Sequence, residues 1–188
     1  DSRMFVFPCH WHIFSAGCAG EVMYQGTDMR TGSALEIYRS GVGRCGEEAV
    51  FVVNVLRSAG IPARPVYVPR WSHCDDNHAW VEVWCDGDWH YLGACEPEAV
   101  LDKGWFTNAA SRAMMIGSRW YDRAMPDEDV IGKDGMNRII NLLGKYAKTK
   151  RITIRVEDLE GTPAGGARVQ AEVMNYGEFS PVAKISAD

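Results

Sequence analysis

Basic charge is in short supply in this 188-residue sequence: 20 Lys and Arg stand against 25 Asp and Glu, for a net charge of −5 and a pI near 5.6. Binding along a phosphate backbone needs a basic face, so nucleic acid is not expected as a partner. Long apolar runs are missing too. A membrane-crossing helix needs about 18 or more consecutive apolar residues; no such run occurs, and no membrane span is expected. The opening Asp1-Ser2-Arg3-Met4 carries no signal-peptide pattern, and a start at Asp1 rather than Met fits a processed or trimmed chain. None of the six cysteines (Cys9, Cys18, Cys45, Cys74, Cys85 and Cys95) stands in a Cys-x-x-Cys pair, the usual mark of structural zinc. Cys9, His10, His12 and Cys18 have a spacing that fits no common zinc site, so no metal and no cofactor are expected. An even cysteine count allows disulfides in an oxidising compartment, but a working thiolate would leave an odd number, so cysteine usage does not assign the compartment.

What is present is enough for a packed core. Hydrophobic residues make up 46% of the chain, which suits one domain of ordinary size or one domain with a small appendage. Up to about residue 40 the pattern is poor, although Ser33-Ala34-Leu35-Glu36-Ile37-Tyr38 can start a short helix. The run Ala49-Val50-Phe51-Val52-Val53-Asn54-Val55-Leu56 is rich in β-branched residues and can be read as a buried strand. Its length, the acidic pair Glu47-Glu48 ahead of it and the stop at Gly60 favour a helix instead. Pro62–Val68 then reads as a strand, Ser72–Asn77 as a polar loop with a solvated acidic pair Asp75-Asp76, and His78–Trp84 as a second strand. Asp86-Gly87-Asp88 is a hairpin turn signal, with Trp89–Leu92 returning. Helix, strand and antiparallel hairpin in that order predict an α+β fold rather than alternating βαβ units.

Residues 101–149 are mixed, with Asn137–Tyr146 a short helix or an irregular connector. After Lys148-Thr149-Lys150-Arg151 the texture changes: Ile152, Ile154 and Val156 alternate with polar residues, and Val169, Ala171 and Val173 do so again. A few such strands cannot bury a core alone. The expected division is therefore a domain over 1–149 and the start of a β-sandwich-like segment over 150–188.

The candidate chemistry sits in the middle. The thiolate, not the thiol, attacks a carbonyl. At a helix start, Cys45 would have its anion favoured by the positive end of the helix. Gly43 and Gly46 would let a substrate backbone come close, and N–H groups of the same helix start, Gly46 among them, can serve an oxyanion. The competing reading is a buried cysteine in a core helix. His78, at the mouth of a strand and just after a polar loop, is a better base than His10, His12, His73 or His90.

Gly43-Arg44-Cys45-Gly46-Glu47, Leu56 through Arg64, Asn77-His78-Ala79-Trp80-Val81-Glu82-Val83 and Trp89-His90-Tyr91-Leu92 occur in that order. Together they resemble the transglutaminase-like superfamily, most densely over about 41–98, and the Gly-Arg-Cys-Gly-Glu run looks like its peptide:N-glycanase branch. The resemblance implies a papain-like α+β core, with Cys at a helix start and His and Asp on successive strands. It makes Cys45 the nucleophile and His78 the base, and it makes the upstream aromatics Trp11 or Tyr24 candidate oxyanion donors, packing being their other role. One departure stands out. Counting from Trp89, the family Asp falls on Gly93, so Glu96 of Gly93-Ala94-Cys95-Glu96 becomes the candidate substitute, with Asp76 or a backbone carbonyl as possible help. The implied activity is hydrolysis, or acyl transfer, of an amide in a peptide, protein or glycopeptide substrate through a thioester. The alternative is a catalytically impaired binding or structural module. The β-rich tail resembles immunoglobulin-like or carboxypeptidase-regulatory-like modules of bacterial surface proteins, which favours an extracytoplasmic location. Nothing in the sequence sets the oligomeric state.

Overall fold

The computed structural model describes the backbone of residues 23–24, and residues 32–94, 96–121 and 129–187. They divide into two compact units, Asp1–Tyr67 with His78–Thr107 and Val68–Asn77 with Asn108–Asp188.

In the first unit a short strand β1 (Met23–Tyr24) runs parallel to β2 (Val42–Gly43), with Tyr24 opposite Gly43. Between them lies helix α1 (Ala34–Ser40), started by a capping box. The Ser33 hydroxyl accepts from the Glu36 N–H at 3.3 Å, and the Glu36 carboxylate accepts from the Ser33 N–H at 2.7 Å. Helix α2 follows at once (Cys45–Ser58). Its β-branched residues suit a strand locally. The helix wins because Ala49, Val52, Val53 and Leu56 recur at helical spacing and are all buried against Ala63, Val81, Val83, Leu92 and Ala94. Burying side chains of this size is worth about 1.5–3 kcal/mol each, more than a few tenths of helix propensity can oppose.

The surface that receives α2 is a set of strands in the order β5-β4-β3: β3 (Ala63–Val68), β4 (His78–Cys85) and β5 (Asp88–Leu92). β4 and β5 form an antiparallel hairpin with Val81 opposite Leu92 and Cys85 opposite Asp88. Its turn needs two residues at positive φ, met by Asp86 at 52° and Gly87 at 87°. Side chains alternate along β4, so Val81 and Val83 face α2 while Trp80 and Glu82 point to the other side. There the Arg64 Nε donates to the buried Glu82 carboxylate at 2.6 Å, and the guanidinium lies 4.1 Å from the ring centre of Trp89. After β5 the chain passes through Trp105 and Phe106 into a single turn, α3 (Thr107–Ala110).

The second unit has strands β6 (Gly117–Tyr121), β7 (Val130–Asp134) and β8 (Asn137–Asn141) in the antiparallel order β6-β8-β7. The helix or irregular connector expected over 137–146 is instead β8 followed by the single turn α4 (Leu143–Tyr146). The Asp-Gly-Met-Asn stretch closes a hairpin in which Asp134 pairs with Asn137, and this brings Ile140 into register with Val130 and Ser118. A buried strand position outweighs weak local helix preference.

The alternating Ile152, Ile154 and Val156 do not form a strand. Only an isolated bridge, Glu157 to Pro163, occurs nearby, and Ile152 and Ile154 are 79% and 62% exposed. Alternation yields a strand only where a partner strand and a buried face are at hand. The second alternating run does form one: β9 (Arg168–Asn175) pairs with β10 (Glu178–Ser186) around Tyr176-Gly177. This hairpin is tied to the loop 68–77. The buried Asn175 donates from Nδ2 to the carbonyls of Trp71 (3.1 Å) and Cys74 (2.8 Å), and the Tyr176 N–H donates to Asp75 at 2.6 Å. Asp75, expected as a solvated acid, is thus exposed but also holds the turn of this hairpin.

Candidate active site

Cys45 is the first residue of α2, half-exposed and a thiol rather than half of a disulfide. What sets its position is Glu47. This buried carboxylate accepts from the Arg44 N–H at 2.7 Å and from the Gly32 N–H at 3.0 Å, so one side chain caps the helix and pins the chain ahead of α1 to it. Gly43 is small for the same reason: a Cβ there would stand 3.2 Å from the Cβ of Glu47 and 3.3 Å from Cδ1 of Ile37. Tyr24 brings its backbone beside Gly43, two residues before the thiol. Gly46 is different, because among the described residues, its chain neighbours and the helix's own backbone aside, no heavy atom lies within 4 Å of where its Cβ would be. None of the described residues fills the space beside the second residue of the helix, where an approaching substrate chain would need room.

His78 opens β4, the strand against which α2 packs. Its ring sits among aromatics, with centroids 4.5 Å from Trp105, 5.1 Å from Phe106 and 5.9 Å from Trp80. Trp80 in turn stacks on Phe106 at 4.7 Å. Trp80 and Phe106 are fully buried, whereas Trp105 is 64% exposed.

The turn after β5 explains the glycine at position 93. A Cβ built on Gly93 would lie 2.6 Å from the carbonyl oxygen of Glu96, well inside van der Waals contact. The backbone has closed over the place an aspartate would occupy. Glu96 itself is exposed and lies close enough to Glu48 to affect its ionisation. Asp76 uses its carboxylate locally, accepting from the Asn77 N–H at 2.7 Å. Trp11 and the cluster Cys9, His10, His12 and Cys18 lie outside the described residues, as does Cys95. Among the described residues no group of three or more His, Cys, Asp and Glu is placed to hold a metal ion.

Three residues in this region escape a reading of the sequence alone. Glu48 is buried one turn after Cys45, and burial, then the charges of Glu96 and Glu47, raise its carboxyl from the ordinary 4.5 to about 7. The sequence signal was there: an acid three residues after the cysteine and four before Val52, on the face that packs against the strands. Trp105 and Phe106 had a fainter one in Gly104, whose Cβ would stand 2.7 Å from the Phe106 ring. A His–carboxylate pair, His90 Nδ1 to Asp102 at 2.6 Å, lies on β5. Asp102 also accepts from the Tyr91 N–H at 3.0 Å and adopts a φ of 60°. The nearby Cys85 thiol is pushed up by burial and by Asp86 and Asp102, which keeps it protonated and unreactive.

Residues 14–94 match the family model of the transglutaminase-like superfamily, so this segment of the chain is similar to that superfamily. The α+β architecture, with the cysteine-bearing helix packed on antiparallel strands, is the one the family calls for. No curated protein and no solved structure shows a significant match to the chain.

Proposed function

We propose that the protein is a cysteine-dependent amidase, hydrolysing an amide bond in a peptide, protein or glycopeptide through a thioester acyl-enzyme. The observation that carries this reading is the position of Cys45 as first residue of a helix held by a buried capping carboxylate, with no described residue crowding Gly46. The match of that same segment to the transglutaminase-like family model supports it. The helix terminus favours the thiolate over the thiol. In the reaction, Cys45 Sγ adds to the amide carbonyl carbon, and N–H groups of the helix start receive the oxyanion. His78, protonated in the thiolate–imidazolium pair, gives its proton to the leaving nitrogen as the C–N bond breaks. Water then attacks the thioester, His78 takes its proton, and the C–S bond breaks to return the thiolate. Hydrolysis is preferred to cross-linking because transamidation needs a sheltered route that excludes water.

A second reading follows from position 93. With the Glu96 carbonyl standing where the family acid would project, the site can be a relic retained as a binding module. Losing the acid of a serine triad costs about 10⁴ in rate, enough to leave a bound substrate uncut. Turnover of a peptide and glycopeptide panel decides between the two. Release of amine or ammonia that vanishes in Cys45→Ala supports the amidase. Binding without release, together with Cys45 alkylation by iodoacetamide at pH 6 no faster than that of the other cysteines, overturns it.

A further inference from the structure

We propose that Asp102 is a positioning residue of the site: it straps the segment 102–107 to the outer edge of β5 and so holds Trp105 against the ring of His78. The catalytic meaning of this strap rests on the amidase reading, with His78 as base, whereas its geometry can be read without a substrate.

Among the described strands β5 is an outer one, so alternate residues along it turn their backbone groups away from β4 and need partners elsewhere. Tyr91 finds both in Asp102. Its carbonyl accepts from the Asp102 N–H at 2.9 Å, and its N–H donates to Asp102 Oδ1 at 3.0 Å. The carboxylate thus stands in for the carbonyl that a neighbouring strand would offer. Its other oxygen, Oδ2, lies 2.6 Å from Nδ1 of His90, one residue back along β5. To make these contacts Asp102 takes a φ of 60°, a left-handed conformation that aspartate tolerates better than most residues. The far end of the segment is fixed to the same tyrosine. Tyr91 Oη and Thr107 Oγ1 stand 2.9 Å apart, and Thr107 Oγ1 also accepts from the Gly104 N–H at 3.1 Å. The Thr107 N–H returns to the Gly104 carbonyl at 3.1 Å.

Between the two anchors stand Trp105 and Phe106. Phe106 is fully buried, packed on Trp80 at 4.7 Å and on Tyr91 at 5.7 Å, and burial alone accounts for its place. Trp105 is 64% exposed, yet its ring centre lies 4.5 Å from that of His78. A ring left mostly in water loses little apolar burial on moving away. Its place therefore depends on the backbone that carries it, and Asp102 fixes where that backbone starts. The contact is one of packing, and it acts on the orientation of the imidazole alongside any hydrogen bond that the ring makes. An exposed loop acid is ordinarily solvated, whereas this one combines a left-handed φ with three hydrogen bonds to a single strand. Backbone strain kept at one residue beside a candidate site is what a positioning role requires. Lys103, the next residue, faces a different partner, the exposed Glu98 at 3.7 Å.

NMR of the full chain tests the strap, with the ring signals assigned through His78→Gln and Trp105→Phe. Asp102→Gly suits the left-handed backbone and removes only the carboxylate. In it the nuclear Overhauser contact between the Trp105 and His78 rings should be lost, and amide exchange at Tyr91 and Gly104 should quicken about tenfold or more. Asp102→Asn keeps an acceptor for the Tyr91 N–H and should recover part of the ring contact. Glu98→Gln, at the exposed acid facing Lys103, should leave both readouts unchanged. Val52→Ala lowers stability through the core beneath α2 and should keep the ring contact, so that lost stability alone does not explain its disappearance. A ring contact retained in Asp102→Gly overturns the proposal, and so does its equal loss in Val52→Ala. If the wild type turns over no substrate while Asp102→Gly still loses the contact, the amidase reading fails and the strap stands.

Discussion

A buried acid one turn from the thiol makes the stability of this protein sensitive to pH in a defined direction. Glu48 is 7% exposed, and burial, Glu96 and Glu47 move its carboxyl from 4.5 to about 7. The folded chain therefore holds a proton that the unfolded chain has released over that interval, and stability falls as pH rises through it. Below about pH 4.5 the residue costs nothing by this route, and above about pH 7 the whole penalty applies. At about 1.4 kcal/mol per pK unit the full shift corresponds to about 3 kcal/mol. Screening by the solvent near the helix start lowers the expected value to about 1–2 kcal/mol. The clean perturbation is Glu48→Gln, which keeps the shape and removes the charge. Urea midpoints at pH 5, 6, 7 and 8, with m unchanged, give the stability of each form. The variant should gain on the wild type steadily across the series, by about 1–2 kcal/mol at pH 8 relative to pH 5. Taking the difference between the two proteins cancels every other titrating group that the substitution leaves alone. A difference that stays flat with pH, or shrinks as pH rises, refutes the reasoning. Glu96→Gln should reproduce a smaller part of the gain, since its charge is the second cause of the shift.

Two further outcomes follow from single contacts. Restoring the family acid with Gly93→Asp should not restore a triad: the new Cβ would meet the Glu96 carbonyl at 2.6 Å, costing about 1–3 kcal/mol by overpacking. Calorimetry should show the loss in Gly93→Ala as well, and an undiminished Tm with faster turnover in Gly93→Asp would contradict this account. Asn175→Ala removes both hydrogen bonds to the carbonyls of Trp71 and Cys74, and about 1–3 kcal/mol with them. Amide exchange in the loop 68–77 should then quicken, and unchanged protection there would show that Asn175 does not hold it.

The parts of the fold that were legible in the sequence are those governed by local chemistry. The hairpin at Asp86-Gly87 follows from a turn that demands positive φ. The extent of α2 follows from an acidic first turn and a glycine just past its end. What was not legible depended on distant partners. Ile139 and Ile140 read equally well as helix until β6 and β7 flank them, and Ile152 and Ile154 read as strand although no ladder receives them. The site divides the same way. Cys45 and His78 stand out through their flanking residues. Trp105 is separated from His78 by the β4–β5 hairpin and a connecting loop, and no spacing rule joins them. Glu48 was hidden by its own identity, since an acid in the first turn of a helix is ordinarily a solvated cap.

Gly93 and the ring contact of Trp105 with His78 are linked by a constraint on the turn after β5. A side chain at 93 needs the backbone at 96 to stand away, and the same segment, 93–104, must lead the chain round to set Trp105 beside His78. A tight turn is incompatible with an acid at 93, so the residue that would have oriented the imidazole and the turn that closes on it exclude each other. The step lost with a triad acid, about 10⁴ in rate, is more than 5 kcal/mol at about 1.4 kcal/mol per tenfold. If Cys45 and His78 act as proposed, turnover is therefore expected to be slow, and a peptide panel should show release that is lost in Cys45→Ala. Turnover undiminished in Cys45→Ala would refute the proposed role of the thiol.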